Sequence, residues 1–438
     1  MVRPLRPAPG RGEAGAAVKL FCARFLLPIA APPLQDGALL VKNGRIAAVG
    51  PRRALAVTHP DASVVDFGDA ILLPPMANAH THLELSHFPR WAKEMGETTS
   101  PATFVDWILQ VIRIKRRVET DRYLGSLEEG IRLSLAAGTG AVGDILSWFP
   151  ARAAHRSSPL KGRLFFETLG FDPERNRKML ESIGTLLDEQ TSGSLQLGLS
   201  PHSPYTLSAS SLEEAFDFAR RRRVPAAIHL GESPEEATFL ASGTGPIAEI
   251  LYPRVGWAEM VPAAPHRTPV AYLEEHGALA DRPLLAHGVQ VSADDARRLA
   301  RTKTPVVLCP RSNARLGVGR APVADLLSAG VTLALGTDSL ASNDSLSLWA
   351  ELAFARQWFG DELDGQTLLA MATRNGAAVL GLGGEMGALH PGMGCHFQVL
   401  RPAALPSLAT LTDFLCEEGR GAEVASLYLD GRDVLQKR

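Results

Sequence analysis

The sequence predicts an α/β protein: a (β/α)₈ TIM barrel joined to a small β-sandwich domain built from both chain ends. Three observations point there. The middle of the chain alternates apolar strand-like runs with helical segments, both ends read as short strands and turns, and histidines and an aspartate recur where the central runs stop.

Residues 1–15 are rich in Pro, Gly, Ala and Arg and lack the apolar stretch of a secretory signal, so they read as a mobile tail. Residues 16–73 carry AVKLFCARFLL, GALLVKNGRIAAVG and SVVDFGDAILLP, the first part of the β-domain. The Asn43-Gly44 pair signals a hairpin, because both residues tolerate the positive φ of a tight two-residue turn. Residues 74–385 hold the barrel runs ANAHTH, TGAVGDI, GRLFFETLG, SLQLGLSPHS, PAAIHLGES, PLLAHGV, TPVVLCP and TLALGTDS. Helical sequence such as LEEGIRLSLAAG, SLEEAFDFARRRR and ADDARRLARTK separates several of them, and eight alternations favour a closed barrel over an open doubly wound sheet. Residues 386–438 return to strands in HFQVL and ASLYLDGRDVL, which complete the β-domain.

Composition narrows the function. A chain of 438 residues exceeds the roughly 250–300 at which single cores stop growing, so a large domain plus a small one is expected. The formal charge of −2 leaves no basic excess for a nucleic-acid backbone, and no run approaches the length of a membrane span. The expected partner is a small-molecule substrate, with no nucleic acid and no membrane. Cys22, Cys309, Cys395 and Cys416 form no C-x-x-C pair, which fits a cytoplasmic protein.

His80 and His82 stand two apart at the end of the first central run, so in a strand both project to one face and can grip one ion. His229 ends the fifth run, His287 the sixth and Asp338 the eighth. In a parallel barrel these ends share one opening. A lone histidine in an apolar strand is more often a hydrogen-bonded core group. Two imidazoles aimed together are costly without a partner, and their recurrence at later strand ends favours a metal site. Imidazoles with a carboxylate suit zinc or ferrous iron, and an open position for water marks the catalytic kind.

NAHTHLELS, PHSPYTLS, HLGES, LAHGV, CPRSNARLG and GTDSLASNDSLSL resemble, in order and spacing, the motif series of the amidohydrolase superfamily. The nearest branch is the mononuclear aminohydrolase and chlorohydrolase group. The resemblance implies one divalent metal ion, Zn²⁺ with Fe²⁺ as the alternative, held by His80, His82, His229 and Asp338. It also implies catalytic roles for Glu232 as a proton shuttle, for His287 on the attacking water or leaving group, and for Asp338 beside that water. Without the resemblance, Glu232 reads as an exposed loop carboxylate or a charge at a helix start. The fourth run holds no lysine to bridge a second metal, so one ion is expected. His202 matches a substrate-contacting histidine, while Arg311 and Arg315 either bind a substrate carboxylate or lie on the rim.

Within the branch, HTHLELS and GTDSLASNDSLSL most resemble the aminodeoxyfutalosine deaminases, which implies ammonia release from 6-aminodeoxyfutalosine in menaquinone biosynthesis. The alternatives are deamination of S-adenosylhomocysteine, methylthioadenosine or guanine, or triazine-type chloride displacement. A non-catalytic barrel-type binding protein is the alternative from another class. Members of the branch commonly assemble as dimers or larger, so a homodimer is an expectation too. His82-Leu83-Glu84 also satisfies the H-x-E of cytidine deaminases, but their P-C-x-x-C partner is absent.

One helix is predicted between the first and second runs. TFVDWILQVIRIKRR clusters Phe104, Trp107, Ile108, Val111 and Ile112, as a lid or an interface, with Arg113, Lys115, Arg116 and Arg117 as a solvated face. The family pattern is departed from at Leu73-Pro74-Pro75-Met76-Ala77 and at Gly394-Cys395-His396-Phe397, away from the ligand set.

Overall fold

Most of the central runs are short, apolar and followed closely by Gly, Pro or Ser, the signature of strands covered on both faces. In the computed structural model, which describes residues 18–97, 101–189 and 193–436, all of them are strands. They are β1 (Met76–Thr81), β2 (Thr139–Leu146), β3 (Lys161–Thr168), β4 (Leu195–Pro201), β5 (Ala227–Leu230), β6 (Leu284–His287), β7 (Val306–Leu308) and β8 (Leu333–Leu335). The expected tail, residues 1–15, lies outside the described residues.

The strands pair in parallel as two four-stranded arcs, β1-β2-β3-β4 and β5-β6-β7-β8. Single parallel bridges link the arcs at both seams, Leu199 to Ala226 and Thr81 to Asp338. Gly336 permits the second seam: a Cβ there would lie 2.7 Å from the His80 carbonyl oxygen. The crossover helices form for local reasons. Ala209–Arg222 buries Leu212, Ala215, Phe216 and Ala219 on one stripe, and the Ser208 side chain accepts the Ser211 N–H at its start.

Both chain ends meet in one eight-stranded sheet. Val18–Leu26 pairs antiparallel with Leu34–Lys42, which pairs with Arg45–Pro51 across the Asn43-Gly44 turn. Asn43 and Gly44 take φ of 55° and 74°, as the hairpin signal requires. Ile71–Leu73 then joins Val18–Leu26 to Phe397–Leu400, so the last quarter of the chain is stitched to the first. Phe21, Phe67, Phe397 and Tyr428 pack as an aromatic cluster inside this sheet, with the Phe397 and Tyr428 rings stacked at 4.4 Å. The four cysteines are buried and free. Among the described residues no helix is long and apolar enough to cross a membrane.

The helix expected after the first run spans Phe104–Arg117, capped by Thr103. Its Trp107 Nε1 donates to the Ala341 carbonyl just beyond β8 (3.0 Å), and Lys115 Nζ donates to Ser147 Oγ just beyond β2 (2.6 Å). The helix therefore lies across the carboxyl ends of the strands on both sides of β1. Lys115 corrects the expected solvated face, because it turns inward to Ser147 and to the fully buried Glu84, 3.7 Å away.

Candidate functional site

The shared opening at the strand ends gathers the expected residues from β1, β5, β6 and β8. His80 Nε2 and His82 Nε2 lie 3.6 and 3.5 Å from Asp338 Oδ1. His82 Nε2 lies 3.1 Å from His229 Nε2. His80, His229 and His287 form one group of converging ligand atoms, and Glu232, His287 and Asp338 another, each within 4.8 Å.

The tautomers follow from the outer nitrogens. His229 Nδ1 is 2.9 Å from the His202 carbonyl oxygen, which only an N–H satisfies, so its Nε2 presents a lone pair to the cluster. His287 Nδ1 likewise meets Asn313 Oδ1 at 2.9 Å, leaving Nε2 bare and 3.6 Å from Glu232 Oε1. Burial holds the His80, His82, His229 and His287 imidazoles below their ordinary range, hence neutral. Among the described residues, His80 Nε2, His287 Nε2 and Glu232 Oε1 are buried without a hydrogen-bond partner. Convergent bare donors around a buried carboxylate are costly unless a cation satisfies them together, so the residues present fit a divalent ion. Imidazole ligands are oriented in this way, by an outer N–H on a carbonyl oxygen.

Asp338 is held with care. It adopts φ of 55°, and His287 adopts 74°, in the region that L residues avoid. The Thr337 and Asp338 N–H groups both donate to the His80 carbonyl at 3.1 Å, which fixes that turn onto β1. The Ser312 and Ser342 hydroxyls donate to Oδ2, so Oδ1 is the oxygen left for the imidazoles. Burial alone would raise this carboxyl, yet His80 and its neighbours hold it well below the usual carboxylate range.

Glu232 has the opposite character. Burial first, and the Asp338 charge second, push its carboxyl well above the ordinary range. Two neighbouring acids with their pKa values driven apart can divide a proton acceptor's work from a proton donor's. Glu232 is placed by Glu236, whose carboxylate oxygens accept the Gly231 and Glu232 N–H groups, each at 2.9 Å.

His202 stands beside the cluster, its ring 4.8 Å from the His229 ring and its Nδ1 3.1 Å from Thr206 Oγ1. Burial pulls its imidazole down to about 3. The arginines are placed differently. Arg311 pairs with Asp344 and Asn343 and lies 3.8 Å from the buried Glu351, while Arg315 is exposed on the same helix.

Sequence reasoning missed several acids here. Glu84 lies two residues beyond His82 and accepts the Ser147 and Trp148 N–H groups at 3.1 and 2.9 Å. Asp144 accepts the Leu83 N–H at 2.9 Å and lies 2.8 Å from His155 Nε2, both side chains fully buried. Glu167, at the end of β3, has a carboxylate oxygen within 4.8 Å of ring nitrogens of His202 and His229. An acid inside an otherwise apolar strand end, as in LFFET, was the available signal.

The comparisons agree with this geometry. The model of the amidohydrolase family matches residues 71–251 and 258–431. A model of a bacterial imidazolonepropionase-like composite domain matches residues 37–62. The chain is 35% identical over 359 residues to the aminodeoxyfutalosine deaminase of Deinococcus radiodurans, covering 79% of this chain and 82% of that protein. It is 30% identical over 430 residues to the 5-methylthioadenosine/S-adenosylhomocysteine deaminase of Syntrophobacter fumaroxidans, covering 92% and 89%. The crystal structure of Helicobacter pylori aminofutalosine deaminase superposes with a TM-score of 0.81 at 22% identity, over 95% of this chain and 100% of that one. The chain belongs to the amidohydrolase family.

Proposed function

We propose that this protein is a metal-dependent hydrolytic deaminase of an aminopurine-type nucleoside, with 6-aminodeoxyfutalosine as its substrate and ammonia as a product. The observation that carries the reading is the convergence of His80, His82, His229 and Asp338 beside the buried Glu232, whose Oε1 has no hydrogen-bond partner among the described residues. These four residues would hold one ion, and the donor set suits Zn²⁺. Similarity to the Deinococcus protein over most of both chains supports the substrate.

When bound, the ion supplies a water acidified from about 15.7 to about 7, so that hydroxide is available at neutral pH. Asp338 Oδ1, its partner oxygen occupied by Ser312 and Ser342, would be the acceptor for a proton of the attacking water. Glu232 delivers its proton to a ring nitrogen as the amino-bearing carbon becomes tetrahedral. His287, fixed by Asn313, hydrogen-bonds the water or the departing amine. His202 contacts the substrate from the β4 side. Arg311 and Arg315 stay in the reading as rim groups for a substrate carboxylate.

The same reading takes the two arcs as one closed barrel, supported by the bridges at both seams, and the terminal sheet as a small β-sandwich domain. Its parts are residues 16–73 and 386–438 around a barrel of 74–385, in a cytoplasmic homodimer. The Syntrophobacter relative favours a second reading, in which an adenosine-derived thioether is deaminated at the same site. Metal analysis followed by an ammonia-release screen against aminodeoxyfutalosine, methylthioadenosine, S-adenosylhomocysteine and guanine tests both. A metal-loaded protein that releases no ammonia from any of them rules the deaminase out.

A further inference from the structure

A cavity of about 680 Å³ lies between the helices Arg122–Ala136 and Leu348–Phe359, and the C-terminal residues Gly419, Gly421 and Val424 line its third side. That volume suits a small organic ligand. His80, His82, His229, Glu232, His287 and Asp338 do not line it, so it is separate from the opening. The loop after β8 forms part of its wall through Leu340 and Leu346, and the same loop donates the Ser342 hydroxyl to Asp338.

One end of the cavity gathers polar groups that nothing satisfies. The helix Leu348–Phe359 runs for 12 residues, and Ser347 before it has the extended backbone of a capping residue yet makes no side-chain cap. Among the described residues, Ser347 Oγ and Trp349 Nε1 are buried without a hydrogen-bond partner, and Trp349 as a whole is only 2% exposed. Both face Gly421: a Cβ there would lie 2.8 Å from Ser347 Oγ and 3.5 Å from Trp349 Cδ1, the ring neighbour of Nε1. The absent side chain leaves the two donors a common approach. A buried indole N–H is costly unless an acceptor meets it, so the pair calls for an oxygen ligand.

The surroundings define which oxygen. The first N–H groups of a helix have no partner within it, and the positive end of its dipole favours an anionic acceptor. Arg311 lines the same cavity with its side chain 25% exposed, whereas its partner Asp344 is 61% exposed and Glu418 stands exposed at the rim. Burial pushes the Glu351 carboxyl behind Arg311 up to about 8, so at neutral pH the charge held inside is positive. The remaining wall is apolar, from Leu133, Ala136, Leu340, Ala350, Ala353 and Val424. An anionic oxygen head on an apolar body matches both parts.

We propose that this cavity is a second binding site, for a small organic carboxylate whose head group sits on Ser347, Trp349 and the start of Leu348–Phe359 and whose apolar body lies between the two helices. The site is independent of the substrate assigned to the opening.

The test titrates metal-loaded full-length protein with 4-bromobenzoate and with 4-bromobenzamide by calorimetry, and locates bromine in crystals by its anomalous scattering. Bromine is expected in the cavity beside Gly421, with the carboxylate bound about tenfold or more tightly than the amide, as hydrogen bonds to a charged group allow. Trp349→Phe should weaken the carboxylate about 10- to 100-fold by removing one such bond. Gly421→Val, which fills the common approach, should abolish binding there, and Ser347→Ala serves if that variant does not fold. Metal content should stay native in all three, which separates this site from the ligand set. Bromine found only at the metal site, equal carboxylate affinity in native protein and Trp349→Phe, or no binding at all overturns the proposal. An amide that binds as tightly as the carboxylate overturns the anionic head group.

Discussion

Two layers of buried acids lie at the carboxyl ends of the strands, and they differ in how their oxygens are used. In the layer behind the opening, Glu236 holds two backbone amides, Glu84 holds two amides and a hydroxyl, and Glu351 holds the Arg311 amide and the Asn343 side chain. In the layer facing the opening, Glu232 Oε1 is bare, Asp338 Oδ1 faces only imidazoles, and Glu167 is open. Saturated acids define loop geometry. Open acids keep a lone pair or a proton for a ligand, at a cost in stability that the saturated layer helps to offset.

The comparison breaks most visibly at Asp338. Asp338→Ala is expected to lose both bound metal and turnover, by about 10⁴-fold or more, measured by metal analysis and ammonia release. Metal retained at native stoichiometry would remove Asp338 from the ligand set. Glu232→Gln should keep the metal and the melting temperature while kcat falls about 10²- to 10⁴-fold. An unchanged kcat takes Glu232 out of the reaction.

The rear layer should respond the other way. Glu236→Leu strands the Gly231 and Glu232 amides, so unfolding in denaturant should show a loss of about 1–3 kcal/mol for each, with activity falling because Glu232 shifts. A Glu236 variant of native stability and reduced activity would collapse the distinction between the layers.

A smaller effect is expected from pH. Burial holds His202 neutral down to about 3, so the unfolded chain binds the extra proton first as pH falls below about 6.5. Stability of metal-stripped protein should therefore decline as pH falls from about 6.5 to about 3, and His202→Gln should remove the share that His202 carries, with the buried His80, His82, His229 and His287 carrying the rest. An identical slope in the variant excludes His202 as its source. Smallest is Trp107→Phe, which removes the bond to the Ala341 carbonyl while keeping an aromatic ring beside Phe104. It should cost about 1 kcal/mol and raise KM a few-fold if the Phe104–Arg117 helix covers the opening. An unchanged KM assigns that helix to packing alone.

The legibility of the two layers differed for a physical reason. His80, His82, His229, His287 and Asp338 could be read because a strand's two-residue period and the parallel order of the runs put chain-distant residues at one end. Glu84, Asp144, Glu236 and Glu351 could not, since an acid in a strand, a turn or a helix looks the same in sequence whether water or a protein N–H satisfies it. Lys115 shows the same limit. Its place in a basic run pointed to solvent, and only packing of the helix across β1 and β2 turned it inward.

Sequence alone determined the eight central strands, the Asn43-Gly44 hairpin and the placing of the histidines at strand ends, because each depends on local periodicity or spacing. Tertiary structure decided which nitrogen of each imidazole is bare, which oxygen of Asp338 is free, and which buried acids are filled. Those properties depend on partners brought from elsewhere in the chain, and no local pattern encodes them.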